Sequence, residues 1–192
     1  MIVCPGCGFE APDDFTFCPK CATKISARLS IAEERKVVTT LFCDLVGFTA
    51  MSEAADPEDV DRLLGEYATR ATDVIESYGG TVEKFIGDAV VGVFGVPAAH
   101  EDDPERAVRA GLRIIEAMED MTRPDGTPLR ARVGINTGEA LVRLDVDPAS
   151  GRGFLTGDAV NTAARLQSVA PPEGVAVGSL THELTLRVIE YE

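Results

Sequence analysis

From Lys36 onward the chain alternates between two periods of hydrophobicity. "KVVTTLFCDL" (36–45) is an apolar, β-branched run and predicts a buried strand. Asp56-Pro57 supplies an N-cap and a first-turn proline. Behind them Val60, Leu63, Leu64, Tyr67, Ala71, Val74, Ile75 and Tyr78 follow helical spacing up to Gly79-Gly80. Thr81 to Ile86 and Ala89 to Phe94 read as two strands, with Gly87-Asp88 as the two-residue turn of a hairpin. Asp103-Pro104 predicts the cap of a second helix, with Ala107, Gly111, Ile114, Met118 and Met121 along one face. "LRARVGINTGEALV" (129–142) resumes strand character, with a break expected at Gly138. "DPASGRG" (147–153) is a loop, and "DAVNTAARLQSVA" (158–170) is a helix stopped by Pro171-Pro172. Gly174 to Glu192 predicts two short strands around a brief helix. The order β-α-β-β-α-β is that of an α+β, ferredoxin-like split sheet with its helices on one face.

Charge narrows the partners. The 192 residues carry a formal net charge of -14. Residues 1–36 hold five acids and five bases, so the excess lies wholly in residues 37–192. Such a surface repels nucleic acid and anionic lipid, and we expect neither as a partner. An anionic substrate needs metal ions and a few bases to overcome that field. No apolar run nears membrane-spanning length, and Met1-Ile2-Val3 leads into Cys4 without a signal-peptide pattern. The expected location is cytoplasmic.

Four of the five cysteines lie in "CPGC" (Cys4, Cys7) and "CPKC" (Cys18, Cys21). Two CxxC turns suit one tetrahedral zinc ion, because each presents two thiolates. An intracellular chain disfavours disulfides, and a redox CxxC would not come doubled without a βαβ pattern around it. Residues 1–24 therefore read as a zinc ribbon whose folding energy comes from the metal, with Phe9, Phe15 and Phe17 as its small core. Residues 25–35 read as a linker, and residues 36–192 as the larger domain. Cys43 reads as a small buried strand residue.

Two acids sit where strands end rather than on solvated helix faces. Asp44 closes the first strand in "FCDLVGFT", and Asp88 is at the hairpin tip. Neighbouring strands would bring the two carboxylates together, and such a pair repels unless a cation lies between them. Magnesium or manganese shared with substrate phosphates is the usual solution.

"FCDLVGFT" (42–49), "EKFIGD" (83–88), "VGINTGE" (133–139) and "GDAVNTAARL" (157–166) occur in this order. Together they closely resemble the catalytic domain of class III nucleotidyl cyclases over about residues 36 to 190. The resemblance implies an adenylyl cyclase: ATP is converted to 3′,5′-cyclic AMP and pyrophosphate with two Mg2+ or Mn2+ ions per site. It implies Asp44 and Asp88 as metal ligands, joined by the Leu45 carbonyl, with Val46, Gly47, Phe48 and Thr49 against the β- and γ-phosphates. Lys84 falls at a base-reading position. Asn161 and Arg165 fall at the positions that orient the ribose and stabilise the α-phosphate. In this family the metal aspartates come from one subunit and the other groups from its partner, so a head-to-tail homodimer is implied. The zinc ribbon looks like that of bacterial cyclases whose chains continue into an ATPase module and helical repeats. Two departures stand out. The second base-selecting position falls on Phe154, which cannot hydrogen-bond an amino group but can stack on a ring. No lysine follows Lys84, although the family places another phosphate-binding lysine on a strand that would come after Glu192, so the expectation is either a fragment with its last strand incomplete or impaired triphosphate binding. A degenerate module that binds nucleotide or dimerises to regulate an attached domain is the alternative reading, and recruitment through the ribbon a third.

Overall fold

The computed structural model describes residues 2–12, 15–24, 33–143 and 154–192. Most of the predicted linker (25–32 of 25–35) and the whole "DPASGRG" loop lie outside the described residues. The chain separates into two compact units, Met1–Glu33 and Glu34–Glu192.

The first unit carries a two-stranded antiparallel sheet, β1 (Ile2–Val3) paired with β2 (Glu10–Ala11). Its buried centre is Cys4, Ala11 and Cys18. Phe9, Phe15 and Phe17 are exposed, which corrects the expectation that they form the core. A segment this short closes over the cysteine cluster and has no second layer to cover the rings.

The second unit is built on β3 (Glu33–Leu45), a 13-residue strand buried along most of its second half. It leads into the short helix α1 (Phe48–Ala54) and then α2 (Pro57–Ser77). Asp56 caps α2 by accepting from the Glu58 amide at 2.9 Å, and Leu63, Tyr67, Ala71 and Ile75 form its buried stripe. β4 (Thr81–Ile86) and β5 (Ala89–Phe94) make the predicted hairpin. α3 (Asp103–Ala117) follows, and its N-cap is Asp102 rather than Asp103. Asp103 is buried inside the first turn instead, where it accepts from the His100 amide at 2.7 Å and from Arg106 at 2.5 Å. β6 (Ala131–Arg143) runs unbroken through Gly138, whose bare Cα lies against Ala159. β7 (Leu155–Thr156), α4 (Asp158–Val169), β8 (Val175–Val177) and α5 (Ser179–Thr185) complete the unit.

The sheet order is β4-β5-β3-β6-β7, with β8 parallel to β6 on the same edge as β7. β3 and β5 are antiparallel neighbours, as the split ferredoxin-like arrangement requires. Residues 186–192 form turns rather than the expected last strand. The Tyr191 hydroxyl meets Thr185 Oγ1 at 2.6 Å and folds this tail onto α5.

Helices cover both faces, not one. Leu41, Cys43 and Leu45 of β3 pack with α2, α3 and the odd-numbered positions of β6. Val38 and Phe42 face the other way, toward Ala140, Val142, Phe154 and the α4 residues Val160 and Ala163. Gly134 makes the second layer possible, because a Cβ there would collide with the Ala163 carbonyl and the Gln167 amide. No helix among the described residues is long and apolar enough to cross a membrane.

Candidate active site

The pairing of Cys43 with Val90 aligns the end of β3 with the start of β5. Asp44 and Leu45 thereby lie beside the Gly87-Asp88 turn, where Gly87 takes the left-handed conformation (φ 62°). The Leu45 amide donates to Asp88 Oδ2 at 3.2 Å. Burial and the adjacent Asp88 carboxyl push the Asp44 carboxyl up to about 6, against a hydrogen bond from Gln167 Nε2 at 3.1 Å. The two aspartates share one pocket of negative charge. Two carboxylates and a main-chain carbonyl are oxygen donors of the kind magnesium and manganese take, so the residues fit a divalent cation.

After Leu45 the chain turns at Val46-Gly47, with Gly47 at φ 70°. The Val46 amide donates to the Arg130 carbonyl at 2.8 Å, and Arg123 donates to the Val46 carbonyl. Of the four residues expected against phosphate, Val46 therefore has its amide engaged. The amides of Gly47, Phe48 and Thr49 begin a helix and have no carbonyl a turn behind them.

Lys84 and Phe154 converge through Glu83. Its buried carboxylate accepts from the Leu155 amide at 3.2 Å and lies 3.2 Å from Lys84 Nζ. Phe154, just before β7, is 2% exposed within the second apolar cluster, whereas Thr156 of β7 is exposed. Asn161 and Arg165 lie one turn apart on the solvent side of α4. The Arg165 side chain is 70% exposed and donates to Thr162 Oγ1 at 2.9 Å.

The expected residues thus form three groups in one chain: Asp44, Leu45 and Asp88 around the metal position; Lys84 near Phe154; and Asn161 with Arg165 facing outward. Gln167, Glu83 and Arg132 were missed from the sequence. The Val46–Arg130 bond and the Thr39–Thr137 hydroxyl contact at 2.9 Å set β3 and β6 in antiparallel register, with Arg132 opposite Asp44. Its Nε is buried without a hydrogen-bond partner among the described residues. Alternation along β6 was the available signal, since Arg132 shares the face of Gly134 rather than that of Val133.

In the first unit the two CxxC turns repeat one geometry. The Cys4 amide donates to the Phe9 carbonyl at 2.9 Å and the Cys18 amide to the Thr23 carbonyl at 2.8 Å. Gly8 and Ala22, just after each second cysteine, are left-handed at φ 68° and 58°. Sγ atoms are 3.5 Å apart for Cys4–Cys21 and 3.6 Å for Cys7–Cys18, and all four lie within 4.8 Å of one another. Zn–S bonds of about 2.3 Å in a tetrahedron need sulfurs about 3.8 Å apart, so the cluster fits zinc. The Thr23 hydroxyl and amide draw the Cys21 thiol down to about 6, while the neighbouring cysteines help push Cys7 up to about 12, so the four thiols titrate as one cluster.

Residues 31–191 match the family model described as the adenylate and guanylate cyclase catalytic domain. The chain is 34% identical over 147 residues to adenylate cyclase 1 of Rhizobium meliloti, covering 74% of this chain and 22% of that protein. It thus spans about a fifth of that relative's length. Among solved structures it is similar to the adenylyl cyclase CyaB from P. aeruginosa, with a TM-score of 0.73, 31% identity, and coverage of 82% of this chain and 84% of that one. It is also similar to a non-canonical dimeric guanylyl cyclase domain of the RhoGC fusion protein from the aquatic fungus Blastocladiella emersonii. There the TM-score is 0.73 and the identity 27%, with 80% of this chain and 86% of that one covered. From its sequence motifs, its split sheet and these matches, the chain belongs to the family of class III adenylyl and guanylyl cyclase catalytic domains.

Proposed function

We propose that this domain is an adenylyl cyclase working as a head-to-tail homodimer, forming 3′,5′-cyclic AMP and pyrophosphate from ATP. The adjacency of Asp44 and Asp88 carries the reading: burial and the neighbouring Asp88 carboxyl push Asp44 up to about 6, and a cation between the two would stabilise their charged forms. Asp44, Asp88 and the Leu45 carbonyl would hold two Mg2+ or Mn2+ ions, which supply charge neutralisation of the triphosphate and acidification of the ribose 3′-hydroxyl. The amides of Gly47, Phe48 and Thr49 receive β- and γ-phosphate oxygens. Arg132 adds positive charge opposite Asp44. The 3′-oxygen bonds to the α-phosphorus in line as the bond to the pyrophosphate oxygen breaks. Arg165 meets the charge that develops there, and Asn161 orients the ribose. Both point to solvent in one protomer, which supports their service to the partner's site.

Lys84 favours ATP, because an ammonium donates to the N1 acceptor of adenine and meets an N–H on guanine. The Cys4, Cys7, Cys18 and Cys21 cluster holds one structural zinc per chain. A cytoplasmic setting and carboxyl-terminal ATPase or helical-repeat modules in a longer parent chain belong to the same proposal. Phe154 at the second base-selecting position favours the second reading, a nucleotide-binding regulatory module without turnover. Incubation with manganese and ATP or GTP, followed by mass spectrometry of products, tests the choice. Cyclic AMP in excess is expected; predominant cyclic GMP overturns the ATP assignment, and no cyclic nucleotide from either overturns the activity.

A further inference from the structure

Glu83 is the extra residue of a β-bulge. Val82 pairs with Gly92 and Lys84 with Val91, so Glu83 has no partner position on β5. The bulge turns its side chain inward, and the residue is 1% exposed. Oε1 accepts from the Leu155 amide, across the curl of the sheet from β4 to β7. Oε2 lies 3.2 Å from Lys84 Nζ, out of line for a hydrogen bond, and is otherwise buried without a partner. Nothing in the phosphate or metal chemistry above uses this carboxylate.

We propose that Glu83 is a positioning residue for purine selection, resting on the reading of Lys84 as the base contact. A lysine ammonium is a mobile point charge on a flexible stem. One Glu83 oxygen fixed to the β7 backbone leaves the other to hold Nζ by charge at 3.2 Å, which confines where the ammonium sits. Held there, it donates to adenine N1 and opposes the N–H of guanine. Released, it can swing to the guanine O6 acceptor, and the discrimination is lost. The carboxylate is too deeply buried to touch the base, so its effect passes through Lys84.

The test is a double-variant cycle on the whole chain, using Glu83→Gln, Lys84→Ala and both together. Glutamine keeps an acceptor for the Leu155 amide and removes the charge. Equilibrium binding of 2′,3′-dideoxy-ATP and 2′,3′-dideoxy-GTP with manganese reports selectivity without turnover. Steady-state KM and kcat for ATP report the same contact during reaction. Glu83→Gln is expected to lower the ATP:GTP preference about tenfold, as loss of a charge-assisted contact does, through Kd and KM rather than kcat. The double variant should be no worse than Lys84→Ala. An unchanged preference in Glu83→Gln, or losses that add in the double variant, overturns the proposal while leaving the cyclase reading intact. A parent chain that binds neither triphosphate sinks that reading and this inference with it. If Glu83→Gln loses its native circular dichroism, Glu83→Asp serves instead: its carboxylate is too short to reach both groups, and an unaltered preference there is equally fatal.

Discussion

The Leu45 amide donates to Asp88 Oδ2 at 3.2 Å, fastening the end of β3 to the tip of the β4–β5 hairpin. Asp44 precedes the donor, so this one bond also holds two carboxylates side by side. The proposed metal position is therefore a product of strand adjacency, and its two carboxylates can be altered without touching the apolar core.

Asp44→Asn and Asp88→Asn should each abolish cyclic nucleotide formation and leave the domain folded. Asparagine at 88 retains an acceptor for the Leu45 amide, so no buried donor is orphaned. Product assays together with thermal denaturation check this, and activity retained in either variant removes the metal assignment.

The raised Asp44 carboxyl gives a pH signature of defined sign. Its folded value, about 6, stands above the ordinary 3.8. Its contribution to the metal-free fold is thus complete below about pH 4 and is lost as pH rises through 6. Denaturation midpoints of the metal-free domain should decline across that window, and Asp44→Asn should flatten the decline. Manganese affinity should run the opposite way and rise with pH through 6. A midpoint profile that Asp44→Asn leaves unaltered would count against the shared pocket.

Shared sites predict complementation. Asp44→Ala and Arg165→Ala chains should each be inactive alone, and mixing them should rebuild one working site in two. Recovered turnover approaching a quarter of the unmodified level is expected for random pairing, because about half the dimers are mixed and each has one intact site. Heterodimers demonstrated by mass spectrometry but without activity would exclude the model.

Zinc should bind once per chain. Chelation is expected to unfold residues 1–24 and spare the larger unit, which has its own core. Replacing Cys18 and Cys21 together by alanine should remove the metal, and zinc that persists by elemental analysis would place it elsewhere.

Phe154 is a test of packing against recognition. With its ring 2% exposed among Phe42, Val91 and Val142, Phe154→Ala should cost about 3–5 kcal/mol of stability. Chemical denaturation measures this, and a change under 1 kcal/mol would show that the ring is not a core element.

The sequence by itself determined the elements and their chemistry. Asp56-Pro57, Gly79-Gly80 and Gly87-Asp88 are local signals, set by dihedral preference and capping, and each marks a boundary in the structure. The paired CxxC turns were visible for the same reason, since spacing alone lets each turn present two thiolates, whereas the two strand-end aspartates meet only through the pairing of β3 with β5. Tertiary structure decided what depends on register and on layers. Gly138 reads as a break but lies within a strand, because α4 packs against it. The three ribbon phenylalanines read as core but are exposed, because cysteines occupy the centre. Gln167 reaches Asp44 only because α4 lies on Gly134. Arg132 stands opposite Asp44 only through the pairing of β3 with β6. Glu83 shows the same limit most clearly: between Val82 and Lys84 it reads as an ordinary charged strand position. A one-residue bulge and the curl of the sheet bury it against Leu155, and neither leaves a mark in the local pattern of polar and apolar residues.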